Sequence, residues 1–122
     1  MNQREIKFRI WDKQFNKFLY QLPEKHHLDW ERFDIQQFTG LLDKQGKEIF
    51  EGDIIDWENR KQIKKGISQI AYKYQIIFEE GSFIGVGDKR IGSKVKLDKD
   101  FLSSFEVIGN IYENPELLTP NL

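Results

Sequence analysis

From Ile6 to Ile10 apolar residues alternate with cations (Ile6-Lys7-Phe8-Arg9-Ile10), the period-two pattern of a strand with one buried face. Gln69 to Phe78 repeats the pattern at greater length. Ile70, Tyr72, Tyr74, Ile76 and Phe78 fall on one face, and Ala71, Lys73, Gln75 and Ile77 on the other. Helical periodicity would scatter these aromatics around a cylinder, and the Tyr, Phe and Ile content favours strand. Glu79-Glu80-Gly81-Ser82 then breaks the pattern, so Ser82 to Val86 reads as the return arm of a hairpin. Val95-Lys96-Leu97 predicts a short strand and Phe105 to Tyr112 a stronger one, with Gly109 as a bulge or point of close approach.

The stretch FTGLLDKQGKEIFEGDIIDW, residues 38–57, concentrates turn chemistry. Asp43 opens a four-residue turn that Gly46 closes, and Lys47 to Phe50 forms the return. Glu51-Gly52-Asp53 makes a second turn into the strand Ile54-Ile55-Asp56-Trp57. Glycines 40, 46 and 52 therefore read as three turns that set strand register. Helical signals are few. Asn114-Pro115-Glu116 places an N-cap, a proline at the first helical position and an acid in the first turn, so a short helical turn is expected near the C-terminus. His26 to Phe33 is a second candidate for a helical turn. Many short strands and little helix predict a mainly β fold, a small closed barrel or sandwich.

Composition changes little in this picture. At 122 residues the chain fits one domain, 1–122, long enough to bury about two-thirds of its unfolded surface. The absence of cysteine removes disulfides, thiolate metal sites and cysteine nucleophiles. Nineteen basic against twenty acidic residues give a net charge of −1, so no global field draws the chain to nucleic acid or anionic lipid. No apolar run reaches the roughly 18–20 residues of a membrane helix, and the charged N-terminus does not resemble a signal segment. A cytoplasmic location is the expectation.

Spacing decides among the candidate chemistries. Counted from Asp43, the ligand positions of a calcium loop hold Gln45, Lys47, Glu48 and Ile54, which fails. The glycines lie in separate turns and make no phosphate cradle. His26 and His27 are adjacent, so their side chains diverge and neither a metal nor a cofactor is expected. The acids Glu48, Glu51, Asp53, Asp56 and Glu58 read as a solvated face, with a hydrolase using them as the weakest of three readings. No catalytic residue is expected. One run does suggest a surface: Arg60, Lys61, Lys64 and Lys65 follow Trp57 and precede Tyr72. Four cations beside two aromatics could contact phosphates and stack bases.

REIKFRIWDK at residues 4–13, the 38–57 block and FEVIGNIYENPELL at 105–118 together resemble the YopX family of small phage and prophage proteins. The resemblance implies an SH3-like β-barrel with an N-terminal β segment wrapped onto it. It also implies a phage gene product at work in a bacterial host cytoplasm. It supplies no catalytic residues. The expected function is a non-enzymatic binding or oligomerisation module acting through a protein partner or homo-oligomer. The alternative is a nucleic-acid-binding barrel using the 60–65 loop.

Overall fold

The computed structural model describes residues 5–21, 31–62, 72–87 and 94–118, and these form two antiparallel sheets. The first runs β2 (Lys17–Leu19), β1 (Phe8–Asp12), β3 (Phe33–Leu42), β4 (Glu48–Phe50). The second runs β8 (Lys94–Lys96), β7 (Ser82–Val86), β6 (Lys73–Glu79), β5 (Asp53–Trp57), β9 (Phe105–Asn110). One helical turn, α1 (Lys99–Leu102), and two 3-10 turns, Arg60–Gln62 and Pro115–Leu118, complete the described elements. The mainly β, barrel-like architecture agrees with the alternation in the sequence.

Most predicted strands are present with shifted ends. The hairpin joining β6 and β7 has Phe78 opposite Phe83 and Glu79 opposite Ser82 across its Glu80-Gly81 turn, both of whose residues have positive φ. The long strand is shorter than patterning suggested. It starts at Lys73, because Tyr72 has φ +65 and is not extended, while residues 69–71 lie outside the described residues. Tyr74 and Ile76 are buried as expected, but Phe78 at the end of that face is half exposed. The helical turn expected at 26–33 fails where it can be seen, since Phe33 begins β3; residues 26–30 lie outside the described residues.

Two of the three glycines behave as predicted and one does not. Gly46 and Gly52 sit in turns at φ +83 and +88. Gly40 also has positive φ, yet it lies inside β3, where the register against β4 shifts between Phe38 and Leu42. It serves a bulge, not a turn. Gly109 does mark a bulge: Ile54 faces Gly109 while Ile55 faces Val107. A Cβ there would stand 2.5 Å from the Asn114 side chain.

Asn114 differs from its expected role as a forward cap. Its Oδ1 accepts a bond from the Asn110 backbone N–H at 3.3 Å, and Asn110 in turn accepts from the N–H groups of Tyr112 and Glu113. The side chains thus close the chain reversal after β9. Patterning did not predict β2, nor α1, although Asp98 is a regular N-cap, accepting from Phe101 N–H at 2.8 Å.

The principal core holds Ile49, Ile55, Tyr74, Ile76, Leu97, Leu102 and Phe105. Phe101 stacks on Phe105 at 4.4 Å, and Tyr74 meets both rings edge-on, so aromatics do much of the filling that Leu and Met do elsewhere.

Candidate functional site

The segment proposed from sequence places its residues unevenly. Trp57 ends β5 and packs against the core, and Tyr72 meets it with ring centroids 5.2 Å apart and planes tilted by 48°. The two aromatics do come together. Lys61 is exposed on the 3-10 turn Arg60–Gln62. Arg60, by contrast, already has a carboxylate: its Nε and Nη2 donate to the two oxygens of Asp56 at 2.6 and 2.7 Å. Lys64 and Lys65 lie outside the described residues, as do His26 and His27. A base stacking on Trp57 would have to share its ring with the core and with Tyr72.

The acids of 48–58 form the wet face that sequence suggested only in part: Glu58 is exposed and Glu48 and Glu51 are half-buried, but two are not solvated. Asp53 and Asp56 are 2% and 8% exposed. Each of the five is engaged: Glu48 with Lys7, Glu51 with the Gln37 backbone N–H, Asp53 with Arg9, Asp56 with Arg60 and Glu58 with Lys44. The alternation argument fails here because β5 is covered on both sides. Among the described residues no three His, Asp or Glu side chains gather as metal ligands.

Arg9 and Asp53 define the junction between the sheets. Arg9 donates from Nη2 to Asp53 Oδ1 at 2.7 Å and from Nε to Gln36 Oε1 at 2.7 Å, and its guanidinium lies over the rings of Phe18 and Phe50. Asp53 Oδ2 accepts from Phe50 N–H at 2.8 Å. Burial raises the Asp53 carboxyl above the usual carboxylate range, and Arg9 opposes that rise. Sequence patterning assigned Arg9 to a wet face. In fact Arg9 and Trp11 turn inward together, with Trp11 stacked on Tyr112 at 5.0 Å.

Two recesses flank this junction. An inter-sheet cleft of about 250 Å³ is bounded by Asp34, Gln36, Glu51, Gly52, Phe78 and Tyr112, among others. There the Tyr112 hydroxyl donates to Asp34 Oδ2 at 2.8 Å. Burial, then Asp34, raise that hydroxyl well above the usual tyrosine range. A groove of about 350 Å³ is lined by Phe8, Tyr20 and Phe50, with Lys7, Lys47 and Glu48 at its charged rim. Tyr20 is 71% and Phe8 48% exposed.

No helix among the described residues is long and apolar enough to cross a membrane. A family model described as YopX protein matches residues 21–119. No curated protein matches the chain. Among solved structures, the crystal structure of protein EF1440 from Enterococcus faecalis matches with a TM-score of 0.68 and 26% identity, covering 95% of this chain and 99% of that one.

Proposed function

The chain belongs to the YopX family, and on that premise we propose that it is a non-enzymatic binding module that engages protein through its β1–β2 surface. One observation carries the reading. Among the described residues seven large hydrophobic side chains are exposed, and four of them, Ile6, Phe8, Phe15 and Tyr20, fall within residues 6–20. Phe8 and Tyr20 line the groove whose rim holds Lys7, Lys47 and Glu48. Aromatic area rimmed by charge is the usual make-up of a protein-binding surface. Within this proposal the chain is a phage or prophage accessory protein of the bacterial cytoplasm, in keeping with a structural relative from Enterococcus faecalis.

The nucleic-acid alternative is the weaker reading, because Arg60 is tied to Asp56 and Trp57 to the core. A photo-crosslinking residue at Tyr20, expressed in a bacterial host, should form protein adducts, whether to a second copy or to another protein. The same probe at Lys99, exposed on α1 in the loop between the second sheet's β8 and β9, serves as the control. Adducts no more abundant at Tyr20 than at Lys99 would sink the proposal.

A further inference from the structure

We propose that the inter-sheet cleft is a binding site for the basic side chain of a peptide, an arginine or lysine whose neighbouring carbonyl is held by Gln36. The inference rests on different residues from the β1–β2 groove and stands whether or not that groove binds protein.

Gln36 is the first observation. It is 3% exposed, and its Oε1 accepts from Arg9 Nε at 2.7 Å. Arginine has donors only, so this bond fixes which end of the amide is oxygen and directs Nε2 away from Arg9. Among the described residues Nε2 donates to no protein atom. Nor is it sealed in, since no fully buried side-chain nitrogen or oxygen among them lacks a partner. Nε2 therefore keeps a small solvent-accessible area, and Gln36 is one of the residues that line the cleft. A donor with solvent access and no protein partner bonds water, and a ligand carbonyl can take that water's place. Gly52 makes the room: a Cβ there would come within 1.9 Å of Nε2.

The charge of the cleft is the second, independent observation. Asp34 and Glu51 both line it. Lys13 reaches Asp34 Oδ1 at 3.1 Å, but it is 44% exposed, and Arg9 is balanced by Asp53. Two carboxylates against one solvated ammonium leave the cleft negative. Phe78, half exposed at the rim, presents a ring that a guanidinium or ammonium can rest against. The combination asks for a cation and a hydrogen-bond acceptor in one ligand. A basic residue within a peptide carries both, whereas a bare cation leaves Gln36 unused and a neutral amide leaves the carboxylates unused.

The test uses the full chain labelled with nitrogen-15 and two probes, Nα-acetyl-arginine methylamide and its uncharged analogue Nα-acetyl-norleucine methylamide. The arginine probe should shift the Gln36 side-chain amide and the Gly52 and Ile111 backbone amides saturably, in the millimolar range expected of a single-residue ligand. The norleucine probe should not. Asp34→Asn and Glu51→Gln should each weaken the arginine probe about fivefold, the scale of one partly solvated charge pair. Both substitutions keep the shape of partly exposed residues, and each amide retains one acceptor oxygen. Shifts that are absent, equal for the two probes, or unchanged in both variants would overturn the proposal. The wild-type comparison of probes decides it even if a variant fails to fold.

Discussion

Arg9 and Asp53, separated by 44 residues, meet at 2.7 Å with side chains 9% and 3% exposed, where the two sheets join. Removing one partner leaves the other charge buried and unpaired, which costs about 3–5 kcal/mol. Arg9→Leu, which strands Asp53, should approach this in urea denaturation. Arg9→Leu combined with Asp53→Asn should cost less than Arg9→Leu alone, because neither charge is then stranded. Lys94→Ala breaks the exposed pair with Glu79 and should fall within about 0.5 kcal/mol of wild type. A cost for Arg9→Leu as small as that of Lys94→Ala would contradict the junction described above.

Gly52 and Gly46 separate backbone strain from steric conflict. Both lie near φ +85, at +88 and +83, but a Cβ at Gly46 meets nothing within 4 Å, whereas at Gly52 it meets Gln36 Nε2 at 1.9 Å. Gln36 cannot swing aside without releasing Arg9. Gly46→Ala should cost about 1 kcal/mol from the left-handed backbone alone. Gly52→Ala should cost about 2 kcal/mol more. Equal midpoint shifts for the two variants would refute the tight packing at the junction.

Asp43 fastens the β3–β4 turn to β9. Its Oδ1 accepts from the Gln45 and Lys47 N–H groups at 2.8 and 2.9 Å, and its Oδ2 from Val107 N–H at 2.9 Å. Lys44 N–H donates to the Phe105 carbonyl at 2.9 Å beside it. Asp43→Ala deprives three backbone donors of their acceptor and should cost about 2–3 kcal/mol. Amide exchange at Val107 should speed up with it. Val107 protection equal to wild type would mean that Asp43 does not hold this edge.

Acid titration should reveal two carboxylates of opposite sign. The Arg32 guanidinium, donating to both oxygens of Asp12, holds that carboxyl down to about 2; burial opposes it, and the Gln14 and Phe15 N–H groups assist. An unfolded Asp titrates near 3.9, so the stability Asp12 contributes is complete above about pH 4 and is lost as pH falls towards 2. Asp53 is raised, so its unfolded carboxyl ionises first and its ionisation lowers stability as pH rises through the ordinary carboxylate range. Denaturation between pH 2 and 6 should show a flatter acid limb for Asp12→Asn and a steeper rise with pH for Asp53→Asn. Parallel curves for both variants would count against these assignments.

Local pattern made much of the scaffold legible. The β6–β7 hairpin, the 43–46 turn, the bulge at Gly109 and the terminal helical turn all follow from period-two alternation and from residues with special backbone angles. β2 escaped notice because three residues carry no measurable period, and α1 because four residues give only a cap. Gly40 differs from its expected turn for a related reason: a left-handed glycine looks the same in sequence whether it closes a turn or bulges a strand.

The sequence by itself determined the mainly β class, several turns and hairpins and the family, since these depend on neighbours two to four positions apart and on contiguous motifs. Only the tertiary structure decided the fate of the charges. Arg9 and Asp53 sit in segments whose alternation marks them as solvated, yet strands distant in sequence cover them and make each the other's partner at 2.7 Å; Asp56 is buried likewise, although its partner Arg60 is only four residues on. The Gln36 donor and the Asp34–Glu51 cleft likewise exist only where two sheets meet. Burial of a polar group is a property of what packs over it, and local period carries no record of that.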